Sequence, residues 1–444
     1  MLYRLIRAVV GFALTRFYRV VKQGAEVPAV GPVMLVGNHP NALMDPALIF
    51  AAVDRPITFL AKAPLFKMPG LGALLRGIGA LPVYRKQDDP GQMGRNEGTL
   101  DAAAQALAKG GVITLFPEGK SHSEPQLAEL KTGAARIAFK ALAAGGAVKV
   151  VPVGLTYEKK DRFRSLALLD VGVAISVQDF FSASPQQEGD AVRALTAAIA
   201  EGLKAVTLNL ERWEDLPLIE TAEALYALRR DEPAEDPARR RRFARGVQLF
   251  RAEQPGRYEQ LRAEVASLRR RLRLVRATPE DLPLLYQPGS VAKFVGRNLL
   301  SLMVGFPLFA LGMGLFSVPF LLGRLATPLV SNEPDVQSTV KFLAALVLGP
   351  LWLLGLGVLG GRVFGVWVGL ATLLLGIPLG LFTRYFYEHR RAALRDIRVF
   401  FILGSRATLK ARLLAEGEVV ARNIEAVAEE LGARLTSTPT GARS

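Results

Sequence analysis

Residues 33–53 of the chain read VMLVGNHPNALMDPALIFAAV, and this stretch decides the fold of the first half of the molecule. Its first four residues are a compact apolar run with turn residues on both sides, which predicts a short buried strand. Asp45 and Pro46 follow, and an aspartate before a proline and an apolar run is typical of a helix start. The stretch therefore predicts a strand, a loop and a helix.

The predicted loop carries two ionisable side chains, His39 and Asp45, six positions apart. In an open α/β sheet, functional sites form where the strands end. A neutral imidazole held by a carboxylate is a suitable general base for activating a hydroxyl. In the alternative interpretation Asp45 is only a helix cap and His39 only a polar loop residue, and these residues alone leave both interpretations open.

The composition combines apolar and basic character. Of the 444 residues 50% are hydrophobic, the mean hydropathy is +0.24, the formal net charge is +16 and the pI is near 10.2. Anionic lipid headgroups attract basic surfaces, and long apolar runs suit a bilayer. Nucleic-acid binding would explain the charge but would leave the apolar runs unexplained. The composition therefore favours a membrane partner and predicts no nucleic-acid partner.

The chain has no cysteine and only three histidines. The lack of cysteine removes disulfides, thiolate metal sites and cysteine nucleophiles together. The histidines are His39, His122 and His389, which is too few to favour a multi-histidine metal centre.

Residues 1–26 predict a basic amphipathic helix that lies in a membrane interface. The uncharged run between its arginines is too short to span a bilayer, and the arginines that follow argue against a signal peptide. An ordinary surface helix is the alternative. Four aromatic side chains are available as interfacial anchors: Tyr3, Phe12, Phe17 and Tyr18.

Residues 27–210 alternate between short apolar runs and longer segments with helical periodicity, as an α/β domain requires. The run 112–116 is apolar on both faces, which predicts a central strand. The predicted strands are 33–36, 57–60, 79–84, 112–116, 148–155 and 169–175, and the predicted helices include 97–109, 132–144 and 191–208.

The second half of the chain predicts helices throughout. Residues 211–298 form a basic helical segment, in which a heptad stripe from Tyr258 to Val275 favours a helical hairpin or a docking face over a long coiled coil. The arginines of this segment are either solvated or face lipid headgroups. Residues 299–383 form a membrane region, and residues 384–444 a basic amphipathic tail.

Each of three apolar runs in the membrane region is long enough to cross the hydrocarbon layer. These runs are 299–323, 342–361 and 363–383. Basic residues flank the first run and the last, and both flanks should prefer the cytoplasm, which two spans allow and three do not. We therefore expect a re-entrant first run, broken by Pro307 and Pro319, and a spanning hairpin with Arg362 at its tip.

Four sequence blocks carry candidate chemistry. They are Asn38-His39 with Asp45, GIGALPVYR at 77–85, FPEGKSHS at 116–123 and VPVGLTY at 151–157. Arg85 ends the second block, and a guanidinium is planar, permanently charged and suited to a phosphate. Taken alone, Arg85 is an ordinary surface arginine, and the fourth block is an edge or kinked strand.

Together and in this order, the four blocks resemble the glycerophosphate acyltransferase superfamily, which acylates glycerol 3-phosphate, lysophosphatidic acid and related lysophospholipids. The resemblance covers about residues 30–160, and FPEGKSHSEPQLAELKTGAARIA is most similar to the fungal-type branch, whose members acylate glycerol phosphate and dihydroxyacetone phosphate. It implies an α/β fold with a mixed sheet flanked by helices, followed by a helical segment and C-terminal membrane helices.

The resemblance also implies roles for individual residues. His39 would be the catalytic base and Asp45 its orienting partner, while Pro152 would lie on the donor side or be structural. Residues of the acceptor or phosphate site would be Gly79, Arg85, Glu118 and Gly119, with Lys62 and Lys131 as further basic candidates.

The spacing within the first block departs from the family's usual pattern. Five residues, PNALM, separate His39 from Asp45, where the family usually has four. The fungal-type branch has the longer spacing, and a loop that ends at a helix start can absorb one more residue. Asn41, inside this spacer, is a second candidate for the orienting role.

The implied activity is direct transfer of an acyl group from a thioester to an acceptor hydroxyl, with no bound cofactor or metal. The donor would be acyl-CoA or an acyl carrier protein conjugate, and the acceptor glycerol 3-phosphate or lysophosphatidic acid. We expect an integral membrane protein in contact with membrane lipids, with its catalytic domain on the cytoplasmic face of a bacterial inner membrane or an equivalent. A lysophospholipid transacylase and a catalytically silent membrane scaffold are the alternatives.

Overall fold

The computed structural model describes residues 2–68, 70–85, 90–181, 188–230, 232, 236–281, 288–330, 333–404 and 407–437. These residues divide between two compact units. The first unit comprises Met1–Leu208 and Leu322–Leu346, and the second comprises Asn209–Leu321 and Val347–Ser444.

A mixed sheet forms the centre of the first unit. Its strands are β1 (Arg19–Gly24), β2 (Val33–Gly37), β3 (Ile57–Lys62), β4 (Leu81–Val83), β5 (Val112–Leu115), β6 (Lys149–Tyr157), β7 (Leu166–Val171) and β8 (Ile175–Ser176). The spatial order is β1-β7-β6-β2-β5-β3-β4, and β8 also pairs with β6. All pairs are parallel except those of β6 with β7 and β8.

Helices cover both faces of this sheet. They are α1 (Leu2–Phe17), α2 (Met44–Ala52), α3 (Leu71–Gly77), α4 (Asn96–Ala108), α5 (Gly133–Ala143) and α6 (Glu188–Val206). Val33 and Leu35 of β2 lie in one core with residues of α1 and α2, whereas Met34 and Val36 lie in a second core with residues of α4, α5 and α6. A strand with cores on both faces must be apolar throughout, as β2 is. The fold confirms the predicted α/β class with a mixed sheet flanked by helices.

The observed strands correct two predictions. The last predicted strand, 169–175, is two strands, because β7 ends at Val171 and β8 begins at Ile175. The strand with Pro152 is neither at an edge nor interrupted, since β6 lies between β2 and β7. Pro152 lies where the neighbour of β6 changes from β8 to β7, and its carbonyl accepts a hydrogen bond from Gly172 N at 2.8 Å. Its missing N–H therefore falls at a gap in the strand pairing.

The amino-terminal segment differs from the predicted interfacial helix. The helix α1 ends at Phe17, and residues 19–24 form β1, an edge strand parallel to β7. Phe17 and Tyr18 are buried in the core, so these two aromatic anchors were wrongly assigned to a lipid interface. Tyr3 packs edge-on against Phe50 at 5.1 Å. Of the four aromatic side chains only that of Phe12 is exposed, because α1 is apolar on two faces and one of them docks on the domain.

Long helices make up most of the remaining residues that the structure describes. They are α7 (Leu216–Arg230), α8 (Pro237–Glu253), α9 (Pro255–Leu274), α10 (Pro288–Val330), α11 (Pro334–Phe364), α12 (Val366–Gly404) and α13 (Ala407–Ser437). In the second unit α7, α8, α9 and α13 pack on one another. The heptad stripe of α9 is buried there, with Tyr258, Leu261, Val265, Leu268 and Leu272 at its centre. The stripe therefore serves as the predicted docking face.

Several arginines of the basic segment pair with acidic residues inside the second unit. Arg239, which is nearly fully buried, pairs with Glu232 at 2.7 Å, and Arg240 with Glu223 at 2.6 Å. Arg269 reaches Glu220 at 3.2 Å. These ion pairs link helices of the second unit. The sequence analysis expected these arginines either to be solvated or to face lipid headgroups.

Three helices are long and apolar enough to cross a membrane: Asn298–Leu329, Val336–Phe364 and Val366–Arg391. The predicted break in the first apolar run is wrong, because α10 continues through Pro307 and Pro319. The helices α11 and α12 form the expected hairpin, which turns at Gly365 with φ +98°. Within it a Cβ at Gly369 would lie 2.6 Å from the Gly357 carbonyl oxygen, so glycine permits close helix packing.

Candidate active site

The His39 and Asp45 side chains meet at the carboxyl end of β2. The helix α2 begins at Met44, and Leu43 is its N-cap residue, so Asp45 lies in the first turn and is not the cap. Its carboxylate folds back toward the loop, where Asp45 Oδ2 lies 2.8 Å from His39 Nδ1. The Asp45 side chain is fully buried and the His39 side chain is 19% exposed. The pair thus has one desolvated member and one that substrate can reach.

Two further donors reach the Asp45 carboxylate. Asn41 N donates to Oδ2 at 2.6 Å, and the Tyr157 hydroxyl donates to Oδ1 at 2.8 Å. Burial, together with the negative charge of Asp45, raises the pKa of Tyr157 well above its ordinary value, so this hydroxyl stays protonated. Because the carboxylate only accepts, His39 donates from Nδ1, and the lone pair of its Nε2 is left for a substrate proton.

The five-residue spacer is accommodated by a left-handed residue. Ala42 has φ +42°, a region that costs an L-residue about 1–2 kcal/mol. The Ala42 N–H donates to Ser121 Oγ at 3.0 Å, and the carbonyl of Asn41 accepts from Met44 N at 2.9 Å. The additional residue is therefore taken up in a tight turn ahead of α2, and the carboxylate still faces the imidazole.

The loop of residues 116–123 holds His39 from the other side. The Phe116 ring stacks on the imidazole with centroids 4.2 Å apart and planes 13° apart. His39 N donates to Glu118 Oε1 at 2.8 Å, and His122 N donates to the His39 carbonyl at 3.1 Å. Both the ring and the backbone of His39 are thereby oriented.

The Glu118 carboxylate is buried and bound by protein groups. Besides the amide of His39, it accepts from Ala128 N at 2.9 Å and contacts the Nε2 of His122. His122 Nδ1 accepts from Glu124 N, so the neutral His122 ring carries its proton on Nε2 and donates to Glu118. The predicted acceptor-site carboxylate thus faces the backbone of His39.

Arg85 and Lys131 lie close to Gly119 in the structure. Arg85 Nη1 donates to the Gly119 carbonyl at 3.3 Å. Gly119 has φ +72°, and a Cβ there would lie 2.5 Å from Lys131 Nζ. Glycine is therefore needed twice at this position, for its backbone conformation and to admit the lysine. Two cationic side chains converge on one loop beside the dyad.

The other three predicted site residues lie further out. Gly79 has φ +74° in the turn between α3 and β4, and Lys62 is exposed at the end of β3. Pro152 is buried in β6 against α6, where a Cβ at Gly202 would lie 2.6 Å from Pro152 Cγ. Val150 also faces α6, whereas Val151 faces α2, so Pro152 is on the sheet face opposite to the helix that carries Asp45.

Sequence reasoning missed Tyr157 and the pairing of Glu118 with His122. Tyr157 ends the fourth block, and the register of β2 with β6 places Gly37 opposite Val153, so its strand passes beside the loop of His39. A polar ring at the end of an apolar strand was the available signal. Among the residues that the structure describes, no three His, Asp or Glu side chains are arranged to hold a metal ion.

Several known proteins are similar to this chain. The family model described as Acyltransferase matches residues 19–156. Glycerol-3-phosphate O-acyltransferase 1 of Saccharomyces cerevisiae is 28% identical over 434 residues, covering 75% of this chain and 56% of that protein. The chloroplastic 1-acyl-sn-glycerol-3-phosphate acyltransferase LPAT1 of Arabidopsis thaliana is 28% identical over 124 residues, covering 28% of this chain and 33% of that protein.

A solved structure, that of the 1-acyl-sn-glycerophosphate acyltransferase from Thermotoga maritima, aligns with 46% of this chain and 80% of its own, at 23% identity and a TM-score of 0.33. The chain spans about half the length of the first yeast relatives it matches, between 37% and 56%. The family match covers all four sequence blocks apart from the last residue of the fourth. Residues 19–156 therefore form an acyltransferase domain, and the chain is similar to two glycerol-3-phosphate O-acyltransferases of Saccharomyces cerevisiae.

Proposed function

We propose that this chain transfers a fatty acyl group from a thioester donor to the hydroxyl of a glycerol-phosphate-type acceptor. The observation that carries the proposal is the 2.8 Å contact between His39 Nδ1 and the fully buried carboxylate of Asp45. This contact sets the tautomer of a solvent-accessible imidazole, as a general base requires. The matched relatives whose names give an acceptor act on glycerol 3-phosphate or 1-acylglycerol 3-phosphate.

In the proposed reaction, Nε2 of His39 takes the proton of the acceptor hydroxyl. At the same time the oxygen of this hydroxyl attacks the carbonyl carbon of the thioester. The carbon–sulfur bond breaks, and the departing thiolate receives the proton from the imidazolium. The negative charge of Asp45 stabilises the imidazolium between these events. No acyl-enzyme forms in this scheme, and a chain without cysteine offers no thiol for one.

Arg85 and Lys131 support a phosphate site in this proposal. Their cationic groups converge on the Gly119 loop, and the loop itself contacts His39 through Glu118. A phosphate held there would place the acceptor hydroxyl near the imidazole and make the attack effectively intramolecular. Gly79 and Lys62 would shape the edge of this site.

Glu118 and Pro152 receive different roles. With its carboxylate bound by His39 N, Ala128 N and His122, Glu118 supports the catalytic loop and does not contact the acceptor in our proposal. Pro152, packed against α6 on the other face of the sheet, is structural.

Membrane attachment is the second part of the proposal. The three long apolar helices would anchor the chain, and Leu5, Val9 and Phe12 form an exposed apolar stripe on α1 that suits a lipid interface. We place the acyltransferase domain on the cytoplasmic side, where acyl-CoA and acyl carrier protein thioesters are available, because basic residues flank the membrane region.

An assay of membranes that carry the full chain tests the proposal. Labelled acyl-CoA, or in parallel labelled acyl carrier protein, is offered with glycerol 3-phosphate or with lysophosphatidic acid. We expect label in lysophosphatidic acid from glycerol 3-phosphate, since a relative matched over 434 residues carries that activity in its name. Label only in phosphatidic acid would assign the second acylation step. Transfer between lipids without any thioester would identify a transacylase. No transfer at all would favour the alternative of a catalytically silent membrane scaffold.

The phosphate site has its own test in Arg85→Ala. We expect the acceptor KM to rise about tenfold or more with little change in kcat, because a hydrogen bond between charged groups is worth roughly 1.5–3 kcal/mol. Arg76→Ala is the matched control, since the Arg76 side chain is exposed and donates to the Phe66 carbonyl. An unchanged acceptor KM in Arg85→Ala would remove the assigned role.

A further inference from the structure

Asn41 lies behind the dyad and belongs to a buried hydrogen-bond chain. Its backbone N–H bonds Asp45, as described above, and its side chain is fully buried. The side-chain amide contacts two hydroxyls, with Asn41 Nδ2 at 3.0 Å from the Tyr18 oxygen and Asn41 Oδ1 bonded to Ser338 Oγ. Ser338 is also fully buried, and it lies 297 positions away in the sequence, on α11.

The directions of the bonds that the Asn41 side chain makes follow from its partners. The Tyr18 hydroxyl contacts the carbonyl of Lys160, which can only accept, so Tyr18 donates there. Burial raises the pKa of Tyr18, which keeps its proton in place. Tyr18 can then only accept from Asn41, so the amide NH₂ faces Tyr18 and the amide oxygen faces α11. The Asn41 amide oxygen only accepts, so Ser338 donates to it, and the Ser338 hydroxyl also lies within hydrogen-bond reach of Tyr18.

The contact is part of a docked helix face within the first unit. Lys341 Nζ lies 2.9 Å from the Asp161 carboxylate, and the Phe342 ring lies 5.8 Å from that of Phe17. Phe342 is 5% exposed. Ser338, Lys341 and Phe342 are spaced at i, i+3 and i+4, so one face of the first turns of α11 rests on the acyltransferase domain. The same helix is a candidate membrane span from Val336 onward.

The loop that contains Asn41 needs contacts that stabilise its backbone conformation. Ala42, the next residue, has a left-handed backbone that costs about 1–2 kcal/mol, and the turn persists only where its surroundings over-determine it. Ser121 holds the Ala42 amide from one side. Asn41, pinned between Tyr18 and α11, holds the other side and thereby sets the direction of its N–H toward Asp45.

We infer that Ser338 is a positioning residue for the His39–Asp45 dyad, acting through the Asn41 side chain, so that a membrane helix completes the active site. This inference rests on the proposed acyl transfer. Without the Ser338 hydroxyl the amide oxygen of Asn41 is left buried and unpaired, which favours rotation of the loop away from its productive geometry. The dyad would then be less well aligned while the acceptor site around Arg85 is untouched.

A double-mutant cycle in the full-length membrane protein tests the inference. The variants are Ser338→Ala, Asn41→Ala, the double variant and Thr339→Val. Thr339 is the matched control, because it is on the same helical turn and its buried hydroxyl has no hydrogen-bond partner among the residues that the structure describes. The measurements are kcat, the acceptor KM, and deuterium uptake by the peptide that covers residues 37–46.

We expect Ser338→Ala to lower kcat about tenfold with an unchanged acceptor KM, and to speed deuterium uptake in residues 37–46. In the Asn41→Ala background the same substitution should change kcat less than about twofold, because the partner is already gone. Thr339→Val should match wild type in all three measurements.

Three outcomes would overturn the inference: unchanged kcat and uptake in Ser338→Ala, an equal loss in Thr339→Val, or a loss that persists in the Asn41→Ala background. A wild-type protein without acyl transfer would instead overturn the proposed function. The uptake measurement would then decide alone whether Ser338 holds the loop.

Discussion

Two buried aspartates, Asp45 in the first unit and Asp215 in the second, share much of their surroundings. Asp45 accepts a hydrogen bond from the Tyr157 hydroxyl at 2.8 Å, and Asp215 accepts one from the Tyr258 hydroxyl at 2.6 Å. Both carboxylates are at most 1% exposed, and burial raises the pKa of both tyrosines. Each aspartate therefore has a permanent neutral donor and a site closed to water.

The remaining partners differ. Asp215 is bound by Arg212 Nε at 3.2 Å and Arg251 Nη1 at 2.8 Å, whereas Asp45 is bound by His39. A guanidinium keeps its charge at all accessible pH values, so the second cluster is a fixed ion network. An imidazole gains and loses a proton near neutral pH. The same aspartate–tyrosine pair is thus structural beside arginine and suited to catalysis beside a partly exposed histidine.

Removing the histidine should have the largest effect. We expect His39→Ala to lower kcat about 1000-fold, because a positioned general base contributes roughly 10²–10⁴-fold. His389→Ala, on the exposed face of α12, is the control and should keep wild-type kcat. Steady-state kinetics on purified protein is the measurement, and a His39→Ala enzyme with full activity would end the catalytic interpretation of the first cluster.

The same substitution at both aspartates tests the comparison directly. Asp45→Asn should lower kcat about 100-fold or more, because the imidazolium loses its counter-charge and the tautomer is no longer set. Asp215→Asn should leave kcat unchanged and lower the free energy of unfolding by about 1–3 kcal/mol, since its arginines are partly exposed and can rehydrate. Kinetics and thermal unfolding in detergent measure the two effects. Equal kcat losses would break the comparison.

The two tyrosines give a smaller contrast. Tyr157→Phe should lower kcat about tenfold, and Tyr258→Phe should cost about 1 kcal/mol of stability with no change in kcat. Because the folded pKa of Tyr157 is raised, its hydroxyl stays a donor below its ordinary pKa of about 10, and the rate ratio of wild type to Tyr157→Phe should be constant from about pH 6 to 9. A rate ratio that decreases with rising pH between about pH 6 and 9 would show that Tyr157 ionises there.

Ala42→Gly should have the smallest effect. It tests whether the left-handed residue serves only to accommodate the five-residue spacer between His39 and Asp45. Glycine relieves the left-handed strain at φ +42° but loses more entropy on folding, so we expect a gain of about 0.5 kcal/mol in the free energy of unfolding. The kcat should stay within roughly twofold of wild type, because the hydrogen bonds of the turn are unchanged. A large loss of kcat would mean that the alanine methyl group itself orients the dyad.

Prediction from sequence succeeded where the signal was local. The strand, loop and helix of residues 33–53 follow from a short apolar run, turn residues and a helix start, all within one stretch. It failed at β1, because Val20 and Val21 continue the apolar pattern of α1 and only pairing with β7 makes them a strand. It failed also at α10, which continues as one helix through Pro307 and Pro319.

The sequence by itself determined that His39 and Asp45 lie close along the chain, between the end of a strand and the first turn of a helix. Tertiary structure alone decided what surrounds the pair. The strand order β5-β2-β6 brings Glu118 to one side of His39 and Tyr157 to the side of Asp45, and the docking of α11 brings in Ser338. The physical reason is that a buried hydrogen bond depends on which distant segments the packing makes neighbours, and residue spacing carries no record of that choice.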